Sequence, residues 1–130
     1  HLLTIDERKR FYHDIKNHIN ENAHIVFIHM NDQTEIPLFP LMKNKLNQSL
    51  KSHQFLIEEL TDNFNLIKFE NFNYNVKISS EEYLEMIRNR YMTVLLDLKE
   101  KEIEEGIEFI KNNYSNQLVF QDTLTIKVFN

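Results

Sequence analysis

Ile78–Tyr114, ISSEEYLEMIRNRYMTVLLDLKEKEIEEGIEFIKNNY, decides how the chain is read. Ser79-x-x-Glu82 has the spacing of a capping box, in which the serine hydroxyl accepts a first-turn amide and the glutamate reaches back. Tyr83, Ile87, Arg90 or Tyr91, Val94 and Leu98 then form a helical stripe that breaks around Leu96–Lys99. A second helix carries Ile103, Ile107, Ile110 and Tyr114 on one face, with Gly106 beside Ile107. Glycine inside a helix costs about 1 kcal/mol relative to alanine, so a close approach by another element is expected there. The stretch leads into Leu118–Phe129, where apolar residues alternate with Gln121, Thr123, Thr125 and Lys127 as in a half-buried antiparallel or edge strand.

Working outward, Thr4-Ile-Asp-Glu7 is a second capping box, followed by an amphipathic helix with Ile5, Tyr12, Ile15 and Ile19 at helical spacing and Phe11 beside them. His24–Met30 is a short apolar run rich in β-branched residues, which reads as a strand buried on both faces. Ile36–Met42 places apolar residues around Pro37 and Pro40 and reads as an apolar loop, either packed on a core edge or walling a pocket. Asn47–Thr61 returns to helical spacing, and Asp62-Asn63 ends it, asparagine being able to adopt the left-handed turn. Ile67 and Phe69 then lie in one strand phase and Phe72, Tyr74, Val76 and Ile78 in the other, so a bulge or strand boundary is expected near Asn71. Helices alternating with strands indicate an α/β fold.

The 130 residues favour one domain, and a 42% hydrophobic content suffices for a core. A formal net charge of −5 gives no overall basic field, so neither nucleic acid nor an anionic membrane is an expected partner. The absence of cysteine excludes disulfides and thiolate chemistry, no long uncharged apolar run is present, and a cytoplasmic location is expected. A single glycine excludes glycine-rich phosphate and dinucleotide loops.

The order of elements resembles the C-terminal half of a class I S-adenosylmethionine-dependent methyltransferase. His1-Leu-Leu-Thr-Ile-Asp-Glu-Arg8, the helix after it and Ala23–Met30 resemble the passage leading into that family's fifth strand. Phe55-Leu-Ile-Glu-Glu-Leu60 and Phe64-Asn-Leu-Ile-Lys-Phe69 resemble the next helix and sixth strand. Arg88–Leu98, Glu102–Tyr114 and Phe120–Ile126 resemble the substrate-side insertion and antiparallel seventh strand of one bacterial branch.

The resemblance implies a partial methyltransferase-like, Rossmann-like twisted sheet with flanking helices and an antiparallel C-terminal strand. Residues 1–130 would form a single domain, the C-terminal part of a larger one, with a helical substrate-side insertion at about 78–114. The chain begins at His1 and lacks both the family's glycine-rich first loop and the acidic residue after its second strand, so a fragment is expected. The complete protein would use S-adenosylmethionine to methylate a small molecule, and this chain alone would not bind that cofactor tightly. Asn20–Ala23 and Asp62-Asn63 depart from the family by standing where glycine is usual.

On this reading Arg88, Arg90, Tyr91, Met92 and His29 are candidate substrate contacts, and His1 a candidate cofactor contact. Arg88 and Arg90 either recognise a carboxylate or phosphate or pair with Glu82, Glu85 or Asp97. Tyr91 and Met92 are otherwise core residues, and His29 a structural histidine near the end of its strand. No metal is expected, because His13 and His18 are not at the spacing that aligns helical ligands and His24 and His29 fall on opposite strand faces. The competing function is a non-enzymatic binding or assembly module that pairs through an exposed sheet edge or the Ile36–Met42 loop. Under either function the free edge of the first strand would be covered by a missing N-terminal half or by a homodimer partner.

Overall fold

A computed structural model of the chain describes residues 3–20, 22–31 and 34–130. Its elements are α1 (Ile5–His18), β1 (Ile25–Met30), α2 (Pro40–Asn63), β2 (Leu66–Ser79), α3 (Ser80–Arg88), a short 3-10 turn (Thr93–Leu95), α4 (Glu100–Asn113) and β3 (Gln117–Phe129). The fold is α/β, and the three strands form an open sheet in the order β1-β3-β2. β1 pairs antiparallel with β3, Ile25 facing Phe129 and Met30 facing Leu124. β2 also runs against β3, as the facing pairs Asn71–Thr125 and Asn73–Thr123 indicate. β1 and β2 are therefore parallel to each other, joined through α2, with the terminal strand between them.

The chain divides into two compact units, interleaved in sequence: His1–Met30, Lys51–Phe72 and Leu124–Asn130 in the first, Asn31–Leu50 and Asn73–Thr123 in the second.

In the first unit α1 starts at the expected capping box, with the Glu7 amide donating to Thr4 Oγ1 at 3.3 Å and the Thr4 amide to Glu7 at 2.7 Å. Tyr12, Leu60, Phe64 and Phe129 are buried together, with Ile15, Ile19, Ile25 and Phe27 packed against them. Tyr12 meets Phe64 edge-on at 6.1 Å. Arg8 grips Glu59 with two bonds of 2.7 and 2.8 Å, tying α1 to α2. This pair joins residues 51 apart in sequence, and no local pattern announces it.

β1 is not buried on both faces. Ile25 and Phe27 face the core, whereas Val26 and Ile28 are 56% and 57% exposed. The uninterrupted apolar run hides this difference, because such a run fits two buried faces or one buried and one bare.

Expectations also give way at both ends of α2. α2 begins at Pro40, seven residues before the expected start at Asn47, so Leu41 and Met42 belong to a helix and not to the loop. Proline is compatible with a first helical position, where no intrahelical amide donor is required. The helix runs through Asn63 without a left-handed residue, and Asn63 instead donates its side-chain amide to the Glu59 carbonyl at 2.8 Å. β2 continues through Asn71 as one strand, so no boundary falls there, and the expected bulge shows as a one-residue slip of register. Asn65 exchanges backbone bonds with Asn130, whereas six residues later Asn71 faces Thr125, five residues back.

The second unit buries Phe39, Met42, Tyr83, Leu84, Ile87, Leu95, Leu98, Ile103, Ile107, Ile110 and Leu118. α3 starts at the Ser79–Glu82 capping box, as expected, but stops at Arg88 and does not extend toward Leu96. Arg90 takes a positive φ of 53°, the sole such non-glycine among the described residues. A left-handed residue costs roughly 1–2 kcal/mol, and Arg90 offsets this by donating to the Leu95 carbonyl at 2.5 Å and the Leu98 carbonyl at 2.8 Å. α4 buries the predicted Ile103, Gly106, Ile107 and Ile110. At Gly106 a Cβ would lie 2.6 Å from ring carbons of Phe39, which accounts for the glycine.

Candidate functional site

Four of the substrate-side candidates fall in the second unit and have distinct roles. Arg88 lies 3.6 Å from Glu85 and 3.3 Å from Glu104, within an exposed ion-pair cluster on α3 and α4. Arg90 spends its guanidinium on the two backbone carbonyls and on Glu100 at 3.3 Å, holding the corner after α3. Met92 is half-buried against the core just before the 3-10 turn. Tyr91 lines a cavity.

That cavity measures about 620 Å³ and is lined by Glu81, Glu82, Glu85, Met86, Asn89 and Tyr91. Behind it Tyr83, only 2% exposed, donates its hydroxyl to the Pro37 carbonyl at 2.6 Å. A carbonyl can only accept, so the 3.2 Å contact between the two phenols has Tyr91 donating to Tyr83. The Tyr91 oxygen therefore keeps its lone pairs. Burial pushes both phenols above their ordinary pKa, so both remain protonated at neutral pH. The wall offers acceptors in quantity and few free donors: Glu82 is held by the Ser79 cap, and the Asn89 amide is given to Glu85 at 3.1 Å.

The sequence reading does not find Tyr83. It sits at a core position of the α3 stripe, and its partner Pro37 carries no signal at 46 residues' separation. Asp122 on β3 accepts the Tyr74 hydroxyl at 2.5 Å, which raises the Tyr74 pKa to about 12.

His29 belongs to the first unit, at the penultimate position of β1. Its Nδ1 lies 2.9 Å from the Met30 carbonyl oxygen, and its ring packs 5.4 Å from that of Phe27. Nε2 is buried and has no hydrogen-bond partner among the described residues. Leaving such a group unmet costs about 1–3 kcal/mol. His53 on α2 is the titratable group electrostatically coupled to it, and burial lowers the His53 pKa. His1, the candidate cofactor contact, lies outside the described residues.

Among the described residues no three His, Asp or Glu side chains gather to hold a metal ion, and no helix is long and apolar enough to cross a membrane. Gly106 is packed inside α4 under Phe39, so the chain has no glycine for a phosphate-cradling loop. Compared with known proteins, the chain matches no family model and no curated sequence.

Proposed function

We propose that this chain is the later part of a methyltransferase-like α/β domain that uses S-adenosylmethionine to methylate a small molecule, and that it contributes acceptor contacts and closes the sheet. The observation that carries the reading is the sheet. Two mutually parallel strands joined through a helix flank a terminal strand that runs against both. This is the relation expected if β1, β2 and β3 correspond to the family's fifth, sixth and antiparallel seventh strands.

The outer edge of β1 supports the same reading. Free edges are normally guarded by charge, proline or a bulge. β2 carries Lys68, Glu70 and Lys77 and a slipped register, whereas Ile25–Met30 has no charged residue and exposes Val26 and Ile28. An unguarded apolar edge suits a strand that another part of the protein pairs with.

The same edge favours a second reading, an assembly module that pairs with another chain. Ile36–Met42 is a poor docking loop for it, because Phe39 and Met42 are 2% and 0% exposed in the core of their own unit.

Calorimetry separates the two. On the methyltransferase reading the 130-residue chain gives no heat with S-adenosylmethionine, and a longer chain carrying the preceding half binds it. Tight binding by this chain alone, or none by the longer one, would sink the reading.

A further inference from the structure

We propose that a second copy of this chain covers the face of the sheet opposite α1 and α2, the two copies stacking sheet to sheet about a two-fold axis that crosses their strands. The inference lies beyond the functional reading above and uses no part of it.

The face follows from the pleat. Side chains of a strand alternate between faces, and directly opposed residues of an antiparallel pair share one. Ile25, Phe27 and Phe129 point to the helices and pack with Tyr12, Leu60 and Phe64. The ladder pairs Val26 with Val128, Ile28 with Ile126 and Met30 with Leu124, and these three rows lie on the other side. Phe72 extends the third row onto β2, since Asn71 faces Thr125 on the helix side. Val26, Ile28 and Phe72 are each more than half exposed, and among the described residues none of the six on β1 and β3 packs against either buried cluster. The whole face lies in the first unit. With strands about 4.8 Å apart and residues about 3.3 Å apart, its rows span about 10 by 13 Å, which with the side chains at its margins amounts to roughly a few hundred Å². Continuous apolar patches of that size mark contact surfaces.

The charges choose the occupant. Lys68 and Glu70 alternate with Phe69, whose ring sits under Lys127 on the helix side, so both stand on the bare face, 2.6 Å apart at its β2 margin. A partner carrying one sign of charge would meet an unlike and a like group there. A second copy brings the same two charges, and a two-fold axis level with Phe69 reverses their order, so that Lys68 lies over Glu70 of the other copy and Glu70 over its Lys68. The same axis sets the Val26–Val128 row over the Ile28–Ile126 row, apolar on apolar, with the sheets about 10 Å apart. An axis along the strands would instead lay β1 over Lys68 and Glu70, burying both charges against hydrocarbon. The face is electrically neutral although the chain carries a net charge of −5, so two copies meet where repulsion is least. Pairing of two β1 edges leaves this face bare: its two-fold axis stands perpendicular to the sheet and keeps both helix layers on one side. Two such faces together bury less than about 1,200 Å², the range of weak contacts, so a micromolar dimer is expected.

Sedimentation of the 130-residue chain tests this. The parent chain should dimerise with a micromolar Kd. Ile126→Lys, on the central strand away from both edges, should leave it monomeric while its amide spectrum stays that of the folded chain. Lys68→Glu and Glu70→Lys each place like charges across the axis and should each weaken the dimer about tenfold, and an equimolar mixture of the two should recover the parent's affinity, because unlike charges meet again. A parent chain that stays monomeric at millimolar concentration gives the face to a different partner and overturns the proposal. So does a dimer that Ile126→Lys leaves intact, which belongs to the β1 edge, or a mixture that associates no more tightly than its parts. If Ile126→Lys does not fold, the two charge variants and their mixture decide alone.

Discussion

The two units solve the burial problem differently. The second closes on itself: eleven buried residues from the Ile36–Met42 region, α3, the 3-10 turn and the loop after it, α4 and β3 form its core, and Gly106 lets Phe39 sit directly on α4. The first has a cluster of four buried hydrophobic residues among those described, and leaves Phe11, Val26, Ile28, Phe55 and Phe69 more than half exposed. A unit that buries little and exposes large apolar groups presents surface suited to another body, whereas a closed unit does not. The difference places structural self-sufficiency with the helices of Ile78–Tyr114 and the demand for a neighbour with β1.

The largest effect that would sharpen this contrast is expected inside α4. Ile107→Ala removes a fully buried side chain and should cost about 2–5 kcal/mol, with hydrogen-exchange protection lost mainly across Asn73–Thr123. Equal loss in both units would show that they share one cooperative core. Gly106→Ala follows in size. The new methyl meets Phe39 at 2.6 Å, so the overpacking cost of about 1–3 kcal/mol should outweigh the helix-propensity gain of about 1 kcal/mol. Combining it with Phe39→Leu should recover part of the loss, and strict additivity in that double variant would refute the contact as its cause.

Sequence patterns reveal elements better than they reveal what those elements meet. Both capping boxes and the Ile103, Ile107 and Ile110 stripe of α4 are local, and local spacing specifies them, whereas the alternation of β3 does not hold to its end: Thr125 and Phe129 are buried there, and Leu124, Ile126 and Val128 are only half-buried. The end of α3 is not local. It depends on the Arg90 guanidinium reaching carbonyls five and eight residues ahead, and the same arginine reads from sequence as a substrate contact. Tyr91 is legible as a site candidate, but its partner Tyr83 is not, because a phenol in a core stripe looks like packing until the Pro37 carbonyl is seen. His29 is legible by its place near a strand end. Its unmet nitrogen emerges only when Met30, Phe27 and Thr125 are in position.

Acid should distinguish the units next. All six histidines belong to the first unit and none to the second. Burial lowers the His53 pKa, so the unfolded chain takes up the proton first. Stability from the neutral ring is present above its ordinary value of 6.5 and is lost as pH falls below that value toward the depressed one. Arg8 likewise holds Glu59 below its ordinary 4.5, adding a second loss at lower pH. Hydrogen exchange followed from pH 7 down to about pH 3 should therefore open the first unit before the second. His53→Gln should flatten that early step, and Glu59→Gln only the later one. An early step that persists in His53→Gln would assign it to another histidine.

The smallest effect on stability is expected where the surface is most apolar. Lysine at Val26 or Ile28 places charge on side chains already 56% and 57% exposed, so each substitution should leave thermal stability within about 0.5 kcal/mol of the parent chain. Its effect should appear in association. A lysine there guards the β1 edge as Lys68 and Lys77 guard β2, and sedimentation should show less self-association than for the parent chain. In a longer chain that carries the preceding half the order should reverse, since the same lysine would be buried at a strand pair and would destabilise strongly. A large loss in the 130-residue chain itself would mean that its own residues already cover this face, and the contrast between a closed and an open unit would fail at the edge that motivates it.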